Sequence, residues 1–164
     1  MKATWNLSGN SIVSGRVTAL ERRHEHFAQR NFSGTTGQLD YTWTPTGKLR
    51  LVFTAKRDID SWWDAGASYR VSDTLSFAPV WQAGARIAVR ARFEHTQVDY
   101  RGPVIVDFRS PRSDTQRRAQ VAVDWSPLRY VTFSASLARD SRSSTDPGFA
   151  FRDTIANLGV LLTF

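Results

Sequence analysis

The sequence predicts an all-β protein, an antiparallel up-and-down transmembrane β-barrel of about eight strands. Three observations carry that expectation. Apolar side chains recur at every second position, short turns alternate with long polar connections, and each alternating run has one apolar, aromatic face and one ionic face. Val, Ile, Thr and the aromatic residues are plentiful, while stretches rich in Glu, Lys and Ala are absent, which favours strands over helices.

The strands follow in chain order. Val13 to Ala19 alternates with some exceptions. Leu39, Tyr41 and Trp43 are separated by polar residues, and Leu49, Leu51, Phe53 and Ala55 continue after a turn. Tyr69 to Trp81 reads as a strand with exceptions. Ile87 to Phe93, Ala119 to Trp125, Val131 to Leu137 and Ala156 to Phe164 repeat the same period of two. The opening Ala3-Thr4-Trp5 reads as the stub of a cut strand, so the single barrel domain of residues 1–164 is expected to be truncated at its N-terminus and to be the C-terminal portion of a larger barrel.

A repeat sets the topology. Trp43-Thr-Pro-Thr-Gly, Trp81-Gln-Ala-Gly and Trp125-Ser-Pro each end one run and start the next, with a weaker copy at Trp5; the spacings are 38, 38 and 44 residues, the length of one hairpin and its connections. Pro or Gly makes these turns tight. The other connections, 23–33, 57–66, 99–115 and 139–150, are long and polar. Short turns at one end and long loops at the other are the pattern of outer-membrane barrels.

With Leu39, Tyr41 and Trp43 facing outward, Trp5, Trp43, Trp81 and Trp125 fall at one level beside the short turns and form a periplasmic aromatic girdle. The inward face then carries Arg16, Arg22, Arg50, Lys56, Arg70, Arg86, Arg90, Arg92 and Arg118 against Asp40, Glu94 and Asp124. Leu20, Val52, Ile155 and Leu161 are inward exceptions. Asp73 points outward and is expected near the outer rim, where an outward charge costs only about 0–1 kcal/mol.

Composition excludes several classes. The chain has 164 residues, 22 Lys and Arg against 15 Asp and Glu, three His and no Cys. Disulfide frameworks, Cys-based zinc sites and thiol nucleophiles are therefore out. No apolar run approaches the roughly 20 residues of a membrane helix. The first residues lack the roughly 7–15 apolar residues of a secretory signal, which leaves a cytosolic protein or a missing beginning.

The chain ends in Asn157-Leu-Gly159-Val-Leu-Leu162-Thr-Phe164, with polar, glycine, apolar and terminal aromatic positions spaced as in the last strand of bacterial outer-membrane proteins. This looks like a signal for the barrel-assembly machinery. Leu20-Glu-Arg-Arg-His24-Glu-His26-Phe27, Gln29-Arg-Asn-Phe-Ser-Gly34, Asp99-Tyr-Arg-Gly102 and Asp146-Pro-Gly-Phe149 with Arg152-Asp153, together with the Trp-x-Pro turns, resemble the EpsL-type outer-membrane β-barrel proteins of exopolysaccharide biosynthesis operons, within the β-barrel porin group. The resemblance spans essentially the whole chain. It implies the outer membrane of a Gram-negative bacterium, a neighbourhood of polysaccharide synthesis and export components, and no catalytic residues to carry over. Members look longer than this chain and begin with a signal peptide.

Candidate sites follow from these placements. In a wide barrel the basic inward face would favour anions such as an acidic polysaccharide, whereas in a tight eight-strand barrel the same residues would form an internal ion-pair network with no passage. Asp58-Ile-Asp60-Ser-Trp62-Trp63-Asp64 is placed in an outside loop, where Trp62 and Trp63 suit sugar rings, the aspartates suit calcium, and the plainer reading is an upper aromatic girdle. His24, His26 and His95 lack a further ligand at useful spacing, so no metal and no cofactor are expected. Ser134 and Ser136 face away from His95, which argues against a hydrolytic triad, and the protein is expected not to be an enzyme. Arginines and aromatics separate by face, which argues against nucleic acid as a partner and leaves lipid as the expected surroundings. A structural or adhesive barrel without transport is the other functional expectation.

Overall fold

A computed structural model of the protein describes residues 1–26, 31–64, 67–102 and 112–163. They form nine strands: β1 (Lys2–Ser8), β2 (Ser11–Arg22), β3 (Phe32–Thr46), β4 (Leu49–Asp64), β5 (Ala67–Gly84), β6 (Ile87–Arg101), β7 (Ser113–Leu128), β8 (Val131–Ser144) and β9 (Phe151–Leu162). All lie in one sheet in sequence order, each antiparallel to its neighbour. The expected count of eight is thus corrected to nine. Lys2–Ser8 pairs with β2 from Lys2↔Arg16 to Ser8↔Ser11 and is a strand in its own right. The all-β, antiparallel up-and-down order is the expected one; β1 and β9 do not pair, so the sheet is open among the described residues.

One end of the sheet is built from two-residue turns. Ser8↔Ser11, Thr46↔Leu49, Gly84↔Ile87 and Leu128↔Val131 close the four hairpins, each preceded by a register shift. Pro45 and Pro127 fall inside two of these shifts, where the ladder asks no donor of them. The turn carbonyls also bind the next hairpin. Asn10 O accepts from Thr44 N (2.8 Å), Lys48 O from Gln82 N (2.7 Å), Arg86 O from Ser126 N (2.8 Å) and Tyr130 O from Thr163 N (3.1 Å). Three of these donors directly follow a girdle tryptophan, which explains why the Trp motif recurs hairpin by hairpin.

At the other end the expected long loops are largely strand. Residues 57–64 of the expected 57–66 loop lie in β4, with Asp64 paired to Ala67, and β8 continues to Ser144. β3 to β8 run 14 to 18 residues, well beyond the roughly 9–11 needed to cross a bilayer. The excess lies on the loop side. Alternation of apolar with polar residues stops where a strand leaves hydrocarbon, so a stretch such as Arg57-Asp58-Ile59-Asp60-Ser61 has no periodic signature even though its backbone stays extended.

Directly opposed residues on antiparallel strands share a face, so the register sorts every side chain. Tyr41, Phe53, Phe77, Phe93, Ala119 and Arg139 fall on one face, and Asp40, Thr54, Ser76, Glu94, Arg118 and Asp140 on the other. Exposure then shows which is outside. On β8, Leu137 is 56% exposed while Ala138 beside it is 4% exposed, and along β7 and β8 apolar residues are exposed while most polar ones are half-buried. Val121, Phe133 and Val160 are exposed rather than gathered in a dry centre. The sheet therefore curves with its apolar side convex and its ionic side concave, the reverse of a water-soluble protein. Tyr41, Phe53, Phe77 and Phe93 stack in a row across the convex side, with centroids 6.1, 4.6 and 6.4 Å apart.

Candidate functional site: the concave ionic face

Each side chain on the concave face is positioned by a strand whose other side is apolar, so the alternation that makes the convex surface also lines the concave one. Arg90 meets Asp124 at 2.5 Å, Arg92 meets Glu94 at 2.7 Å, and Arg118 meets Asp140 at 3.5 Å. Lys56 pairs with Asp58, and Arg70 with Asp60 at 3.3 Å. Asp124 also accepts from the Ser134 hydroxyl (2.8 Å). Asp40 has no ion-pair partner among the described residues; it accepts from Gln38 Nε2 (2.8 Å) and the Thr54 hydroxyl (2.7 Å). Among the described residues Arg16 and Arg50 have no acidic partner within ion-pair distance.

Asp58, Asp60 and Asp140 are carboxylates the sequence reading leaves in loops, yet they sit on this face and neutralise Lys56, Arg70 and Arg118. The surplus of base is smaller than the sequence suggests. Its part without an ion pair among the described residues is Arg16, Arg22, Arg50 and Arg86, of which Arg22 donates to the Ser61 hydroxyl. Arg90, Arg92 and Arg118 keep about half of their side-chain surface open, so the face is wet and not interdigitated.

Beyond the apolar band, at the loop end, the concave side carries a small core cluster, Ala67, Val98 and Tyr100, with Trp62 packed against it. Trp62 lies in β4 and not in a loop. Its ring meets Tyr100 edge-on at 5.2 Å, and the Arg70 guanidinium sits 5.2 Å from its centroid. The Trp63 side chain lies outside the described residues. Next to this cluster Asp114 is fully buried. Arg112 donates to both its oxygens (2.9 and 2.6 Å), and the Tyr100 hydroxyl donates to it at 3.1 Å. Arg142 stands at 4.0 Å. The Arg112 guanidinium is sandwiched between Tyr100 (4.4 Å) and Phe149 (3.5 Å). Burial by itself would raise the Asp114 carboxyl, but the bonds from Arg112, Ser144 and Tyr100 and the Arg112 charge outweigh it and hold it below the usual carboxylate range. Burial, followed by the facing Asp114 carboxylate, pushes the Tyr100 phenol above its usual value. Sequence reasoning misses this group, whose only visible trace is the Arg112-x-Asp114 spacing that places two opposite charges on one side of β7's start.

The remaining predicted residues fall as follows. Trp5, Trp43, Trp81 and Trp125 all lie exposed on the convex side at the turn end. Asn157, Gly159 and Leu162 lie on β9, with Asn157 Nδ2 3.5 Å from Ser136 Oγ; Phe164 lies outside the described residues. Asp73 faces outward and binds Arg57 Nη1 at 3.2 and 3.1 Å, which partly offsets its charge. His95 lies on the convex side and Ser134 and Ser136 on the concave one. Among the described residues no group of three or more His, Cys, Asp or Glu is arranged to hold a metal.

A meandering antiparallel sheet with lipid-type residues outside, ions inside, short turns at one end and long strands at the other belongs to the porin-like class of β-barrel membrane proteins. The family model described as Putative beta-barrel porin 2 matches residues 6–164, and the chain belongs to that family. No curated protein and no solved structure matches it.

Proposed function

We propose that this protein works in the outer membrane as a porin-like wall of an anion-favouring conduit, serving the outer-membrane step of exopolysaccharide production. It performs no catalysis of its own in this reading. The observation that carries the reading is the inversion of faces: a convex apolar surface with a tryptophan girdle suits lipid, and a concave surface with half-exposed arginines suits a hydrated, charged cargo. Arg16 and Arg50, which no carboxylate offsets, contribute to the net positive field. The exopolysaccharide assignment rests on the loop and turn resemblance.

Single-channel recording on the assembled protein tests the conduit. Anion-selective conductance, with selectivity reduced by Arg16→Glu and Arg50→Glu, supports it; absence of conductance or a cation preference defeats it. Gene disruption tests the role. Loss of secreted polysaccharide supports the export assignment, whereas normal secretion with loss of surface attachment moves the function to adhesion.

A further inference from the structure

The convex side is not apolar throughout. Above the lipid band it carries a row of basic residues on four consecutive strands: His95 on β6, Arg117 on β7, Arg139 on β8 and Arg152 on β9. The register makes them neighbours. His95 opposes Arg117; Arg117 opposes Ser141, which in turn opposes Arg152; and Arg139 is diagonal to both arginines. Directly opposed residues have Cβ atoms about 5 Å apart and diagonal ones about 7–8 Å. All four are exposed, and among the described residues none has an acidic partner within ion-pair distance. The nearest acidic residues in sequence, Glu94, Asp140 and Asp153, point to the concave side. Asp73, on the convex side, is occupied by Arg57.

Guanidinium groups this close with no carboxylate between them repel one another, so the three arginines favour a counter-anion. The height of the row says which kind. From Trp125 to Arg117 is eight residues of β7, about 27 Å along the strand. With the roughly 35–45° tilt of barrel strands that is about 20 Å across the membrane, close to the thickness of the apolar band. The girdle marks one boundary of the hydrocarbon and the basic row marks the other, on the loop side. At this level a shallow depression of about 690 Å³ is lined by Leu75, Phe77 and Phe93 together with His95, Arg117 and Arg139; Glu94, whose carboxylate pairs with Arg92, also borders it.

We propose that this row and depression bind an anionic lipid of the leaflet at the loop end, with its phosphate groups on Arg117, Arg139 and Arg152 and an acyl chain along Phe77 and Phe93. Guanidinium groups bind phosphate in two-pronged fashion and keep their charge at any pH, and the apolar floor adds the affinity that a free anion cannot gain. The proposal rests on the membrane reading above and goes beyond it, since a conduit needs only its concave face.

The test titrates the assembled protein in mild detergent with a phosphorylated acyl-disaccharide lipid (lipid A) and with the same lipid after enzymatic dephosphorylation, and reads bound lipid by native mass spectrometry. The expected result is at least tenfold tighter binding of the phosphorylated lipid, reduced about tenfold or more in Arg117→Gln/Arg139→Gln. Equal binding of the two lipids overturns the proposal, as does unchanged binding in the double variant. Displacement by millimolar inorganic phosphate also overturns it, because the site would then be one for free anions. Should the variant not assemble, the comparison of the two lipids on the unaltered protein decides alone. Heat-modifiable migration on gels, run on the same samples, reports on the barrel itself, so failure of the membrane reading is distinguished from failure of lipid binding.

Discussion

The two ends of this sheet are held together by different physics. At the turn end, two-residue turns, backbone carbonyls and an exposed tryptophan row do the holding, with no buried side-chain core. At the loop end the strands outrun the bilayer, and there the protein gathers a fully buried carboxylate, stacked guanidinium groups and a patch of Val98, Tyr100 and Trp62. Where lipid covers one side of a sheet, the sheet needs little of its own interior; where water covers both sides, it has to make one.

The sharpest way to break that comparison is at Asp114. Asp114→Ala leaves Arg112 and Arg142 without their buried anion, a loss of about 3–5 kcal/mol for a pair of this kind. Hydrogen exchange should show loop-end protection lost over Val98–Arg101 and Ser113–Asp114 while the hairpin turns stay protected. Parallel loss at both ends would mean that the ends are not independent. A convex-side charge tests the lipid half: Val121→Arg, far from any cation-binding level, should cost about 2–4 kcal/mol of folding into vesicles, read from urea titrations. Its loop-end counterpart, Thr115→Arg, lies beyond the band and should cost about 0–1 kcal/mol.

Acid distinguishes the ends by sign. A carboxylate whose folded value is depressed contributes stability that is fully present above its unfolded value, about 3.9, and is lost as pH falls through the folded one. The loop-end cluster should therefore hold unchanged at pH 5 and open only well below pH 4, seen as a fall in near-ultraviolet circular dichroism, while Asp114→Asn shows no such acid step. The smallest effect is expected at the turns. Pro45→Ala, inside a register shift, should change stability by less than about 0.5 kcal/mol, because no ladder bond depends on that position.

What was legible in the sequence was whatever touches hydrocarbon. From Leu49 to Ala55 and from Ala119 to Trp125, lipid on one side and ions on the other force strict alternation, and the faces follow from it. The Trp-centred turns recur because the backbone geometry there recurs. Above the band the constraint lapses. Asp58, Asp60 and Asp140 read as loop residues because both sides of their strands are polar, and Lys2–Ser8 reads as a fragment because its seven residues are too few for a pattern. Asp114 and Arg112 were invisible for another reason: a buried ion pair depends on tertiary neighbours such as Tyr100 and Phe149 that no local spacing announces.

The carbonyl that each turn offers to the following hairpin makes this architecture modular in steps of two strands. Remove or duplicate one complete Trp-to-Trp segment and every surviving turn oxygen still finds an amide in the place it expects, so ancestral lengthening or shortening by whole segments leaves no orphaned acceptor at the seam. A change of a single strand has no such continuity. Diversity in size among relatives should then come in even increments, with Gly or Pro punctuation at each join.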